Sequence, residues 1–467
     1  MKKIALFVLI AFVAYSCTKT EPVTISGKIT NSNQKTVLLH IDVLDLTDTL
    51  TLAEDGTFST QLNLDEEHLA TLNDGNFIFT LFLTPGATIN IDYDVEAANK
   101  EETDAVQITG EGSEPSALID KLENNSMNYG IVDLLKMPVD SFSMIMSEED
   151  KKWSDAIEAF EVENNLSEKF VSLVSLKGKV DLAQKYNYYI RLHNRYAPAD
   201  TTPIPVAFQA YVDEVPLDDY EAFNELRDYK FYVISGIQQE INAGLMEDST
   251  LTRGSGAYYN ASIDKVIALD VPEEVKNEIG NSTLSSYTYM PDSIQEIYRA
   301  RYKELLTKDS YTKKFEEIVA VVDKTKSGTI APSFNYEDIN GDMISSESLK
   351  GKVVYIDVWA TWCGPCRGEI PSLKKMEAEL HDKPVAFVSI SIDDDKDAWE
   401  KMVKEDELGG LQLFAEGAWQ SDITKAYAIR GIPRFIIIDK EGKIVNANAS
   451  RPSNPKTKEK LLELAAM

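Results

Sequence analysis

Residues 353–366, VVYIDVWATWCGPC, lead from an apolar segment directly into two cysteines, Cys363 and Cys366, with only Gly364 and Pro365 between them. The apolar run predicts a buried β-strand, and the residues from Arg367 onward have helical character. Two thiols on the first turn of a helix can form and reopen a disulfide. The unpaired N–H groups of a helix N-terminus favour a thiolate, which we expect at Cys363, the more exposed sulfur. Because a thiolate attacks disulfides and a thiol does not, this stretch predicts a redox site.

The elements around this stretch alternate between strand and helix over residues 327–467. We predict a hairpin around Asn340 and Gly341, buried strands at 352–359 and 385–392, helices at 363–380, 397–404 and 423–427, a hairpin at 435–447 and a last helix at 456–466. Strand, helix, strand, helix, an antiparallel pair and a helix is the element order of a thioredoxin fold.

Two separate motifs resemble those of the thioredoxin family. Residues 359–366, WATWCGPC, resemble its active site, and residues 426–433, AYAIRGIP, resemble its cis-proline loop. The first hairpin, LKGKVV at 349–354 and IIDKEG at 437–442 further resemble the TlpA/ResA-type exported thiol–disulfide oxidoreductases. The resemblance covers about residues 328–467, less than a third of the chain.

The resemblance implies a role for each residue of the thiol site. Cys363 is the expected nucleophile and Cys366 the resolving thiol, and the two form the redox disulfide. Asp357 matches a buried aspartate that accepts the proton of the resolving cysteine, although a strand-end aspartate with a purely structural hydrogen bond is the alternative. Glu369 matches a glutamate that tunes the thiols, and an exposed helix glutamate is the alternative reading.

The expected substrate-binding residues are Trp362, Gly364, Pro365, Ile432 and Pro433. By the same resemblance, Pro433 is expected to be cis and to face the disulfide, and Ile432 to offer backbone groups to an extended substrate segment. Arg434 departs from the usual Thr or Ser after the proline, which leaves substrate preference open. We expect no cofactor and no metal ion.

The N-terminus is typical of an exported protein. Residues 1–16 combine Lys2 and Lys3 with a short apolar run, the pattern of a signal peptide. Cys17 resembles the acylated cysteine of a bacterial lipobox, although Ala14 and Tyr15 depart from the usual residues there. Residues 17–22 then form a lipid-anchor linker. Simple secretion and an uncleaved anchor are the alternatives.

The remaining residues predict two further domains in a multidomain chain. Residues 23–112 contain alternating strands and turn signals, which predict an antiparallel β-sandwich or barrel. This segment resembles the β-rich domain that precedes thioredoxin modules in some bacterial lipoproteins. Residues 113–326 have helical periodicity and predict an α-helical domain whose function the sequence does not indicate.

Composition excludes some partners and leaves rival functions open. The net charge of −30 and the pI near 4.6 argue against nucleic acid or an anionic membrane surface as a partner. A zinc site would need two further ligands, and only His381 is near the cysteine pair. The two rivals that we retain are a peroxiredoxin-like antioxidant enzyme and an envelope protein-binding module whose thioredoxin domain is incidental.

These observations predict an exported, lipid-anchored thiol–disulfide oxidoreductase. Its expected partners are disulfide-containing envelope proteins, which it would reduce or isomerise at Cys363 and Cys366, and a membrane thiol relay that supplies electrons. The expected location is the bacterial cell envelope on the periplasmic side, and the only expected membrane contact is the lipid anchor.

Overall fold

The computed structural model describes residues 22–99, 105–124, 129–164 and 166–467. The predicted signal peptide and Cys17 lie outside the described residues. The chain divides into two compact units, one up to Ile237 and one from Gln238 to Met467. None of the helices in the described ranges is both long and apolar enough to cross a membrane. The domain boundaries at 112 and 326 stay predictions.

The first unit begins with a β-sandwich. Over residues 22–99 and 105–124 its strands are β1 (Val23–Thr30), β2 (Thr36–Ile41), β3 (Leu46–Thr51), β4 (Thr57–Leu62), β5 (His68–Asn73), β6 (Ile78–Leu83), β7 (Thr88–Asp94) and β8 (Val106–Thr109). They form two sheets with the strand orders β4-β1-β7-β8 and β3-β2-β5-β6. Alternate side chains of both sheets, such as Ile25 and Leu39, meet in one apolar core. The structure therefore contains the predicted sandwich rather than a barrel.

One strand pair of the sandwich corrects the antiparallel prediction. β1 pairs with β7 in parallel, with Ile25 opposite Ile89, because the chain crosses to the other sheet and back between these strands. At Gly27 a Cβ atom would overlap the carbonyl oxygen of Ile91, so the close approach of these strands requires glycine. β5 and β8 were not predicted.

Helices complete the first unit. They are α1 (Val95–Asn99), α2 (Glu114–Asn124), α3 (Ile131–Lys136), α4 (Val139–Asn164), α5 (Glu168–Tyr196), α6 (Val206–Asp213), α7 (Tyr220–Glu225) and α8 (Arg227–Glu247), of which α8 continues into the second unit. Aromatic rings hold α4, α5 and α6 together: Phe142 stacks on Tyr189 with ring centroids 3.9 Å apart, and Phe208 contacts both rings.

The second unit combines helices with a mixed sheet. Its helices after α8 are α9 (Gly256–Ile267), α10 (Glu273–Tyr287), α11 (Asp292–Leu305), α12 (Asp309–Lys324), α13 (Gly364–Leu380), α14 (Lys396–Glu405), α15 (Asp422–Ala426) and α16 (Pro455–Ala466). Its strands are β9 (Asn335–Asp338), β10 (Met343–Ser345), β11 (Val353–Trp359), β12 (Val385–Ser391), β13 (Leu411–Phe414), β14 (Arg434–Ile438) and β15 (Ile444–Asn446).

The sheet has the order β10-β9-β13-β12-β11-β14-β15. β11 lies at its centre, parallel to β12 and antiparallel to β14, and every residue of β11 is buried. Its alternating side chains reach two apolar clusters. Ile356 and Val358 pack in the cluster that contains both cysteines, whereas Val353 and Tyr355 pack against the cluster of Leu373, Met376 and Leu380 of α13.

β13 is the strand of this sheet that the sequence did not predict. It inserts between β12 and β9, and it is only four residues long. The remaining elements follow the predicted order, and α13 begins where the central strand ends. This connection places the start of α13 at the carboxyl edge of the parallel strands, where α/β proteins form their sites.

Candidate active site

The two cysteines occupy the N-terminus of α13. Cys363 is the N-cap residue, its sulfur accepts a hydrogen bond from the backbone N–H of Cys366 at 3.2 Å, and the two residues are joined in a disulfide. Pro365 lies within the first turn, where its missing N–H costs no helical hydrogen bond. When the disulfide is reduced, the same N–H and the helix dipole stabilise a thiolate at Cys363.

As whole residues the two cysteines are equally buried, and the greater exposure of the Cys363 sulfur stays a prediction. Each residue is 4% exposed, and both belong to the apolar cluster that contains Trp359 and Ala360. The disulfide joins Cys363 to Cys366 and holds both sulfurs at this cluster. The exposed side chain next to the pair is that of Trp362, at 56%.

Asp357 lies on β11 opposite Ser389 of β12 and Phe435 of β14. By the alternation of the strand it shares a face with Val353 and Tyr355, beneath α13. It is 8% exposed, and its Oδ1 has no hydrogen-bond partner among the residues that the structure describes. Burial, and then the charges of Glu369 and Glu377, raise the pKa of Asp357 to about 8. A carboxyl group with this pKa can exchange protons near neutral pH.

The predicted cis-proline loop joins α15 to β14. The peptide bond between Ile432 and Pro433 is cis, and Ile432 packs against the apolar cluster that contains Cys363 and Cys366. The predicted cis peptide bond is thus present, and the loop shares an apolar cluster with the two cysteines. That Pro433 faces the disulfide stays a prediction.

Comparisons with known proteins agree with this geometry. Residues 326–463 match the family model described as Redoxin. The thiol–disulfide oxidoreductase ResA of a Bacillus cereus strain is 30% identical over 131 residues, which make up 28% of this chain and 74% of ResA. The chain belongs to the ResA-like thiol–disulfide oxidoreductases. ResA of Bacillus subtilis (strain 168) is 28% identical over 131 residues, 28% of this chain and 72% of that protein.

Solved structures are also similar to this ResA-like enzyme. The thioredoxin domain of a thiol–disulfide oxidoreductase from Bacteroides vulgatus is 30% identical, and the match covers 30% of this chain and 98% of that chain, with a TM-score of 0.28. A thiol–disulfide oxidoreductase from Bacteroides fragilis NCTC 9343 is 29% identical, covering 29% and 99% of the two chains, with a TM-score of 0.27.

In the ResA-like site, Glu369 is held by polar contacts. Its carboxylate accepts hydrogen bonds from the backbone N–H and the hydroxyl of Ser453, both at 3.0 Å, and Arg451 lies 3.6 Å away. Glu369 is thus fixed on the first turns of α13 rather than freely solvated. Its negative charge acts on Asp357, whose pKa it raises.

Other substrate-binding candidates lie at the surface. Trp362, Gly364 and Pro365 are exposed, whereas Ile432 and Pro433 are partly buried. Trp419, which the sequence analysis did not single out, is 38% exposed, and its ring centroid lies 6.2 Å from that of Trp362. These two indoles form an exposed aromatic pair beside the disulfide.

Asp393 is a further residue of the site that the sequence analysis missed. It is 2% exposed and accepts hydrogen bonds from the backbone N–H of Thr361 at 3.0 Å, from the Thr361 hydroxyl at 2.6 Å and from the Ser391 hydroxyl at 2.6 Å. It therefore anchors the segment that precedes Cys363. The available signal was its position at the end of a buried strand that runs parallel to β11. The carboxyl ends of parallel strands meet at one edge of the sheet, where sites form.

Residues of the turn between α10 and α11, far away in sequence, hold the cis-proline loop. The Tyr289 hydroxyl donates to the carbonyl oxygen of Gly431. Arg434 is 2% exposed, and its guanidinium carbon lies 4.4 Å from the centroid of the Tyr289 ring. Its Nε donates to the carbonyl oxygen of Ala447 at 2.8 Å, and its Nη2 donates to the carbonyl oxygen of Thr288 at 3.2 Å. No sequence signal indicates the contacts of this loop with Thr288 and Tyr289, because they join residues more than 140 positions apart.

Proposed function

We propose that this oxidoreductase is exported and lipid-anchored, and that it reduces or isomerises disulfides of envelope proteins at Cys363 and Cys366. The observation that carries the proposal is the Cys363–Cys366 disulfide at the N-terminus of α13, with the Cys366 N–H donating to the Cys363 sulfur. This arrangement favours Cys363 as the thiolate nucleophile of the reduced enzyme.

The proposed exchange has two steps. The Cys363 thiolate attacks one sulfur of the partner's disulfide, so that a mixed disulfide forms and the partner's other sulfur leaves as a thiolate. Cys366 then loses its proton and attacks the Cys363 sulfur, which closes the enzyme disulfide and releases the second partner thiolate. Two electrons pass to the partner, and its two sulfurs end as thiols.

Asp357 is the proposed proton acceptor for Cys366. Its pKa of about 8 is close to the value of about 8.5 for an ordinary thiol. Proton transfer between the two groups is therefore nearly balanced, as an acid–base partner requires. Glu369 supports this role because its charge raises the pKa of Asp357.

The proposed substrate surface surrounds the disulfide. Trp362, Gly364 and Pro365 present exposed atoms. The backbone of Ile432 and Pro433, which a cis peptide bond joins, is proposed to bind an extended substrate segment. The oxidised pair returns to the dithiol by exchange with a membrane thiol relay, which supplies two electrons and two protons. The signal-like residues 1–16 and Cys17 support export and acylation.

Insulin reduction with dithiothreitol as electron donor tests the activity. We expect wild type to reduce insulin, Cys363→Ser to lose the activity, and Asp394→Asn, an exposed substitution, to keep it. Equal rates for wild type and Cys363→Ser would contradict the proposal. Rapid peroxide consumption that depends on Cys363 would favour the peroxiredoxin-like alternative.

Trapping and fractionation in a bacterial host test the partners and the location. Cys366→Ser should accumulate mixed disulfides with envelope proteins, and a Cys363→Ser/Cys366→Ser double variant should accumulate none. Cys17→Ser should lose incorporation of labelled palmitate and should leave the membrane fraction. Cytoplasmic trapped partners, or acylation of Cys17→Ser at the wild-type level, would contradict export and anchoring respectively.

A further inference from the structure

A cavity of about 490 Å³ lies within the second unit, on the side of the cis-proline loop that carries Arg434. Its walls come from the connection between α10 and α11, the end of α12, the start of β14, and the edge strand β15 with the residues after it. Ser293, Ser327 and Asn446 line it and are exposed, so the cavity opens to solvent. Its volume is in the range of small-molecule sites.

Three of the residues that line this cavity each carry a buried donor atom without a partner. The atoms are Nη1 of Arg434, the hydroxyl of Tyr427 and the hydroxyl of Thr288, and none of these residues is more than 4% exposed. In the part of the chain that the structure describes, no hydrogen bond is made by any of these atoms. An unsatisfied buried donor is costly, and three around one cavity indicate a common acceptor.

The charge of the cavity favours an anion. Arg434 makes its other hydrogen bonds to neutral carbonyl oxygens, and no carboxylate of the described residues forms an ion pair with it. Lys326 also lines the cavity and pairs with Asp323 at 2.9 Å, while Asp292 is exposed at its rim. A guanidinium group that is buried without a counterion is destabilising until an anion pairs with it.

We propose that this cavity binds a small-molecule oxyanion, a carboxylate or a phosphate, through Arg434, Tyr427 and Thr288. Arginine and hydroxyl donors suit the oxygens of both groups. The Tyr289 ring covers the guanidinium of Arg434, and its hydroxyl donates to Gly431 in the cis-proline loop. A bound oxyanion would therefore contact the residues that hold this loop, at a site separate from the disulfide.

Calorimetric titration of the full chain with sodium phosphate, glycerol phosphate and sodium succinate tests the site, with sodium chloride at matched ionic strength as the reference. We expect saturable binding of phosphate or succinate. The ligand that binds more tightly shows whether the site prefers a phosphate or a carboxylate. The same ligand should raise the thermal unfolding midpoint in a concentration-dependent manner.

Variants separate a binding role from a structural one. Tyr427→Phe and Thr288→Val remove hydroxyls that make no hydrogen bond, so both variants should fold, and each should weaken oxyanion binding about tenfold. Arg434→Gln should abolish binding. Arg430→Gln removes an exposed cation of the same loop and should bind like wild type. The proposal is wrong if no saturable binding occurs, or if Tyr427→Phe and Thr288→Val bind as tightly as wild type.

Discussion

Burial of Asp357 links the stability of the enzyme to pH. Its pKa is about 8 in the folded, disulfide-bonded protein, against about 3.9 in an unfolded chain. Between these values the folded state holds a proton that the unfolded state has lost, so stability falls as pH rises through this window. Asp357→Asn removes this dependence. Between pH 5 and pH 8, the unfolding free energy of wild type should therefore fall by about 4 kcal/mol more than that of Asp357→Asn.

Urea unfolding of the oxidised proteins at both pH values measures this difference. Asp394→Asn is the matched control, since Asp394 is an exposed aspartate of the same unit. Its stability should follow that of wild type at each pH. Parallel changes in wild type and Asp357→Asn would show that Asp357 has no raised pKa.

Asp393 should stabilise the segment that carries the cysteines. Asp393→Ala removes the acceptor of the N–H and hydroxyl of the partly buried Thr361 and of the hydroxyl of the buried Ser391. The unfolding free energy should fall by about 2 kcal/mol, the usual cost of unsatisfied buried donors. The measurement is chemical denaturation, with Asp394→Ala as the exposed control. A loss of stability in Asp394→Ala as large as in Asp393→Ala would contradict this role.

Sequence and structure agree at single residues where the chemistry is local. Cys363, Cys366 and Asp357 lie within ten consecutive positions, and a strand–helix connection fixes their neighbourhood. Asp393 and Tyr289 could not be assigned in the same manner. Their roles depend on which elements become neighbours in space, and neither residue lies in a motif of its own.

Two helix glycines with different surroundings test the packing of α4 on α5. A Cβ atom at Gly178 of α5 would overlap the indole of Trp153 on α4, which donates to the Val174 carbonyl at 3.0 Å. Gly178→Ala should therefore lower the unfolding free energy by about 2 kcal/mol, as overpacking usually does. At Gly236 of α8 the added Cβ would meet only Leu217 at an ordinary distance of 3.6 Å. Gly236→Ala should instead stabilise by about 0.5–1 kcal/mol.

Denaturation curves of both variants decide between packing and helix propensity. If propensity alone mattered, both alanines would stabilise the protein to the same extent. A further substitution, Trp153→Phe, gives the added methyl group room. It should reduce the cost of Gly178→Ala, and an unchanged cost in the double variant would contradict the predicted overlap.

Long, strongly patterned elements were predictable, and short or context-dependent ones were not. β11, β12 and α13 match the prediction within one residue at each end. The two strands are almost continuously buried, and α13 buries apolar residues at helical spacing, such as Leu373, Met376 and Leu380. β13 and β8 have only four residues each, too few for alternation to stand out. The parallel pairing of β1 with β7 depends on how the chain crosses between the two sheets, which no local pattern encodes.

At the scale of the whole chain, the thioredoxin fold and the helices before it form one compact unit from Gln238 onward. The match to the Redoxin family model begins at residue 326, where the sequence also predicted a domain boundary. Among the described residues, three hydrogen bonds between positions far apart in sequence join the two parts: Tyr289 donates to Gly431, Arg434 to Thr288, and Asn448 to the Tyr289 carbonyl. The helices of this unit therefore support the fold that carries the disulfide.

Two fragments of the chain test this dependence. Residues 227–467 keep α8 whole and retain the three hydrogen bonds, whereas residues 327–467 lose them. At about 1 kcal/mol for each bond, the shorter fragment should unfold with a free energy about 3 kcal/mol lower. Both fragments contain Asp357, Cys363, Cys366 and Pro433, so both should reduce insulin, which serves as the control for correct folding. Equal urea midpoints in two active fragments would show that the helices before residue 327 do not stabilise the thioredoxin fold.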